Sequence, residues 1–148
     1  MLNAPYWQID GDGVDPASFF GALASLFPKD ASLFVEGADI DRRVHACYLQ
    51  HAEPGPYLPE AGTIRPISRK LRCALSPALC GELARLSEQA AEPEVADHLH
   101  VFINGEHVLC WFDAFAHDLW LSSQVPEEAV RALASRLGRP YEIVKQPN

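Results

Sequence analysis

The stretch DHLHVFINGEHVLCWFD, residues 97–113, constrains the fold more than any other part of the chain. Asn104-Gly105 at its centre is a strong signal for a two-residue hairpin loop, because a type I′ turn needs positive φ at both central residues. The flanks are rich in apolar and β-favouring side chains, so the chain must hold at least one antiparallel strand pair. A regular ladder built from that turn pairs Ile103 with Glu106, Phe102 with His107, His100 with Leu109 and His98 with Trp111. Side chains alternate across a strand, so Leu99, Val101, Ile103, Val108, Cys110 and Phe112 share one face, apolar throughout, and that face is expected to be the core. The opposite face then carries His98, His100, Phe102, His107, Leu109 and Trp111.

Three histidines on one face suggest a metal. Same-face neighbours lie ~6.6 Å apart along a strand and diagonal neighbours roughly 7 to 8 Å apart across a pair, spacings that imidazoles can bridge to one ion. Zinc held by His98, His100 and His107 would keep an open fourth position, the arrangement of a hydrolytic or hydrating site. Over these three residues, H-x-H on one strand with a histidine on its neighbour is similar to the zinc site of carbonic-anhydrase-type enzymes. In this register Cys110 is excluded from the set. A three-residue turn would instead pair Phe102 with Glu106 and bring His98, His100 and Cys110 to one face. It would bury His107 among Leu99, Val101, Leu109 and Trp111, which favours the two-residue turn. The same face also reads as a protein-docking patch, with His98, His100, Phe102, His107, Leu109 and Trp111 as an amphipathic aromatic centre.

The remaining segments mix helix and strand. Asp15-Pro16, Ser76-Pro77 and Pro126 mark helix starts, Asp39 is a plausible cap for the helix through DIDRRVHACYLQH, and Gly138 closes the last helix. PYWQI, ASLFVEG, TIRPISRKLRCAL, DLWLS and YEIV read as strands, with Pro66 pushing its end to an edge or bulge. Between them, AEPGPYLPEAG carries three prolines and two glycines in eleven residues. It is expected to be a long loop, a lid or binding edge that presents Tyr57. The expected fold is α+β: one domain over residues 1–148, a mostly antiparallel sheet of about five strands, and three to four helices packed mainly on one face.

Charge and cysteine usage narrow the function classes. With 148 residues and a formal net charge of −8, the chain lacks the positive field that general nucleic-acid binding needs. Arg65, Arg69, Lys70 and Arg72 form a local basic strand suited at most to an anion, with no phosphate-binding loop beside it. Four dispersed cysteines without a CxxC pattern are expected to be free thiols in a reducing compartment. Cys47 and His51, four apart on a helix, could touch, but Cys47 lies on the apolar stripe and is expected to be a core residue. The acids of DGDGVD do not follow the ligand spacing of an EF-hand and read as a turn plus helix cap. No segment suggests a leader or a membrane span, so the expected location is the cytoplasm. The leading expectation is a small acidic protein-binding module without cofactor, of the accessory or toxin-neutralising kind and possibly a homodimer. The alternative is a zinc-binding protein or metal-dependent hydrolase.

Overall fold

A computed structural model describes residues 2–28, 30–62 and 68–146. The elements follow in the order β1 (Tyr6–Ile9), α1 (Pro16–Leu23), β2 (Ala31–Gly37), α2 (Arg42–Gln50), β3 (Arg69–Ala74) and α3 (Pro77–Ser87). A short α4 (Glu92–Val95) leads into β4 (His98–Ile103) and β5 (Glu106–Trp111), and β6 (Leu119–Ser122), α5 (Glu127–Leu137) and β7 (Tyr141–Val144) complete the chain. Among the described residues seven strands join one antiparallel sheet in the order β3-β2-β4-β5-β6-β1-β7, with the helices packed on one face. The fold class is the expected α+β, with two more strands than the five anticipated and with α4 as an additional turn of helix.

Local chemistry explains where the helices begin. Asp15 accepts from the Ser18 amide at 3.1 Å with Pro16 in the first turn, and Ser76 accepts from the Leu79 amide at 3.1 Å ahead of Pro77. The cap of α2 is Asp41 rather than Asp39, and it accepts from the amides of Arg43 and Val44. Gly138 ends α5 with φ of 66°, a left-handed conformation open to glycine at little cost.

The inner face of the sheet presents Leu33, Val35, Leu99, Val101, Leu109, Trp111, Leu119 and Leu121 to the helices. Trp111 is wholly buried, with ring centroids 4.8 Å from both Phe19 and Phe115, and its indole N–H donates to the His117 carbonyl at 2.7 Å. Gly11 packs directly on this indole, where a Cβ would sit 2.9 Å from the ring.

The outer face is covered in part by the loop after α2. The Tyr57 ring meets Phe34 edge-on at 5.5 Å, the Gly62 amide donates to Glu36 at 2.8 Å, and Arg72 donates to the Pro56 carbonyl at 3.1 Å. Layers on both sides explain why every position of β2 is buried, unlike the alternation of a strand with one wet face.

The hairpin departs from a regular ladder. Asn104 and Gly105 both have positive φ, and the two pairs nearest the turn are Ile103 with Glu106 and Phe102 with His107, as expected. A bulge then leaves Val108 unpaired, and the pairing resumes as Val101 with Leu109, His100 with Cys110 and Leu99 with Trp111. Val108 and Leu109 consequently both turn toward the core, and beyond them the faces of β5 are exchanged. Leu109 and Trp111 belong to the core and not to an exposed patch, while Cys110 leaves the core side and joins His98 and His100 on the outer face. The cause is volume: a bulge places the largest side chain of the segment inside and leaves the small thiol and the half-buried Phe112 on the other side.

Candidate metal centre

The outer-face rows built by this register are Glu36 and His98 in one, with the Phe112 ring against His98; Phe34, His100 and Cys110 in the next; and Ser32, Phe102 and His107 in the third. Within them, His100 Nδ1 and His107 Nε2 lie 3.1 Å apart. One donor atom from each of His100, His107 and Cys110 falls within 4.8 Å of the others. Tetrahedral zinc, with bonds of about 2.0 to 2.3 Å, holds its nitrogen donors roughly 3.3 Å apart, so the two imidazoles already stand at bridging distance.

Neighbours fix these rings. Phe102 stacks on His107 with centroids 4.4 Å apart and planes 8° from parallel, and Phe112 meets His100 edge-on at 4.9 Å. His100 is wholly buried, Cys110 nearly so, and His107 is half-buried. Burial pushes the His100 imidazole down to about 3, with repulsion from His107 and His98 adding to it, and burial likewise pushes His107 down to about 4. Both rings are therefore neutral at neutral pH, the form that ligates a metal. Burial pushes the Cys110 thiol up to about 11, so its proton must leave when a metal arrives. The His100 nitrogen that faces His107 is Nδ1, within hydrogen-bond distance in the absence of a metal, and the far nitrogen Nε2 is buried with no hydrogen-bond partner among the described residues.

His98 is oriented differently from the expected triad. Its Nδ1 accepts from the Asp113 amide at 2.9 Å, and the other edge of the ring faces Gly62, where a Cβ would lie 2.6 Å from Nε2. The donor set on the hairpin thus replaces His98 with Cys110. A thiol among the ligands was suggested only by the shifted register, and that register misplaces His107.

Beside Cys110 a cavity of about 280 Å³ opens between Phe112, Asp113, His117, Asp118 and Trp120. Asp113 stands 3.6 Å from His117 Nε2, and burial raises the Asp118 carboxyl, with the Asp10 carboxylate adding to the shift. A fourth metal ligand could enter from this side.

The other expected sites are dispersed. Tyr57, a half-buried residue of the loop, lays its ring against Phe34, with its hydroxyl buried and without a hydrogen-bond partner among the described residues. Arg65 lies outside the described residues. Arg69 and Lys70 are exposed, whereas Arg72 is engaged by Glu53 at 2.9 Å and by the Phe34 ring at 5.3 Å. Cys47 is a buried thiol pushed up to about 12 by burial and by the Glu82 carboxylate, the opposite of an activated nucleophile. All four cysteines are free. Among the described residues no helix is long and apolar enough to cross a membrane. Comparison with protein-family models, with curated proteins and with solved structures finds no match, so the functional reading rests on this geometry alone.

Proposed function

We propose that this chain is a zinc-binding protein whose hairpin holds the ion through His100, His107 and Cys110. The carrying observation is the convergence of three donor atoms within 4.8 Å on the covered face of the sheet, two of them nitrogens 3.1 Å apart. Two imidazoles and one thiolate make a borderline-soft set suited to zinc and poorly suited to calcium or magnesium. A docking patch on this face is the weaker reading, because Leu109 and Trp111 lie in the core and His98 and His100 are buried.

Three protein ligands leave one coordination position for water or a small molecule entering beside Cys110, which is the geometry of zinc-assisted hydrolysis as well as of exchangeable storage. Elemental analysis after purification without chelators tests the reading. The expected result is that Cys110→Ser and His107→Ala each lower bound zinc by about one equivalent. Retention of all bound zinc by both variants would overturn it.

A further inference from the structure

We infer that the chain carries a second metal site, separate from the hairpin, formed by Cys47 and His51 of the α2 segment and Glu82 of α3. Cys47 lies within α2 and His51 caps its C-terminus one turn later, so the two side chains share a helix face. Glu82 comes from the neighbouring helix, its carboxylate 3.8 Å from His51 Nε2 and beside the Cys47 thiol. One donor atom from each falls within 4.8 Å of the others. The backbone of His51 is held at both ends: its amide donates to the Tyr48 carbonyl at 3.2 Å and its carbonyl accepts from Ala74 at 2.9 Å. The ring therefore projects from a fixed point and does not depend on a mobile loop.

The donors are one sulfur, one nitrogen and one oxygen, a mixture that fits zinc and related divalent ions of the first transition row. Thiolate and carboxylate together carry two negative charges, which balance a divalent ion. On binding, the sulfur–metal bond forms and the Cys47 proton passes to solvent, with no change of oxidation state. A shallow cavity of about 400 Å³ over Cys47 and Glu82, edged by Arg43, Gln50 and Arg85, leaves room for a water as fourth ligand. At the hairpin only His107 of the three ligands is partly exposed, whereas here both His51 and Glu82 are, so this site exchanges its ion faster. Its occupancy ties α2 to α3.

Cobalt(II) separates the two sites, because each contains a single cysteine and a thiolate–cobalt bond gives a charge-transfer band in the near ultraviolet. In the full-length Cys110→Ser protein the band should persist, since Cys47 is then the one thiol left in the two sites, and adding His51→Ala with Glu82→Gln should abolish it. His51 and Glu82 are partly exposed, so these changes leave the core intact, which circular dichroism checks. In the unmutated protein, zinc titration followed by NMR should shift the His51 imidazole resonances as well as those of His100 and His107. The inference is overturned if Cys110→Ser gives no band, or if His51 resonances stay fixed while zinc saturates. Failure of the hairpin site reads differently: the His51→Ala, Glu82→Gln protein with Cys110 intact would then show no band.

Discussion

His100 is the residue where structure and stability disagree. An apolar side chain in its place would remove an unpartnered nitrogen from a wholly buried position, and the half-buried His107 could take water in exchange for its lost partner. His100→Leu should therefore change the stability of the metal-free protein at neutral pH by less than about 1.5 kcal/mol, while removing the hairpin zinc. Chemical denaturation together with metal content checks this, and a large loss of stability would make His100 a packing residue instead. The same burial sets a pH dependence. In the unfolded chain His100 and His107 accept protons near 6.5, but in the folded metal-free protein they resist protonation until about 3 and about 4. The unfolded state thus binds more protons between those limits. Stability is intact above the unfolded value and falls as pH drops from about 6.5 toward about 4, by an amount on the order of a few kcal/mol. Denaturation midpoints measured along this range should fall, and His100→Leu should flatten the slope. An unchanged slope in that variant would assign the acid sensitivity elsewhere.

At the scale of elements, the β4–β5 hairpin shows what can be read from residues and what cannot. Asn104-Gly105 fixed the turn and the two pairs beside it, because that choice is local: two residues that tolerate positive φ. The bulge at Val108 is not local. It follows from the space between the sheet and α1, where Phe19 and Phe115 accept an indole, and no pattern of alternation within the strand encodes that space. The adjacent bulky pair Val108-Leu109 was the available hint, since strict alternation must expose one of them. The helices were legible for the opposite reason: Asp15, Ser76 and Gly138 act on their own first or last turn. Glu82 was missed as a neighbour of Cys47 because it arrives from another helix, through packing that a single sequence does not display. The register itself is measurable. Trp111→Ala should cost about 3–5 kcal/mol if the indole fills the core, and less than about 1 kcal/mol if it faced outward. Equilibrium denaturation distinguishes the two, and the smaller value would restore the regular ladder.

For the whole molecule, the sheet divides the chain into two layers with different chemistry. The helix side is an apolar core, whereas the loop side buries Glu36, His98 and His100, polar groups that contribute less to folding than apolar residues of equal volume would. Gly62 and Ser68 both donate to Glu36, at 2.8 and 2.9 Å, so this layer is organised by hydrogen bonds to a carboxylate. An ion bound only by the folded chain would add free energy where the apolar effect is weakest. By mass action, free zinc at about a hundred times its dissociation constant contributes about 2.7 kcal/mol, provided the unfolded chain binds it poorly. For a chain of this size that raises the melting temperature by roughly 5–10 °C. Melting curves with zinc, and again after excess chelator, should show the rise and its reversal, with magnesium producing neither. His51→Ala with Glu82→Gln isolates the hairpin contribution, and adding Cys110→Ser should then remove the shift entirely. A rise that survives the loss of all these ligands would place zinc elsewhere on the molecule, and the polar layer under the loop would then serve packing alone.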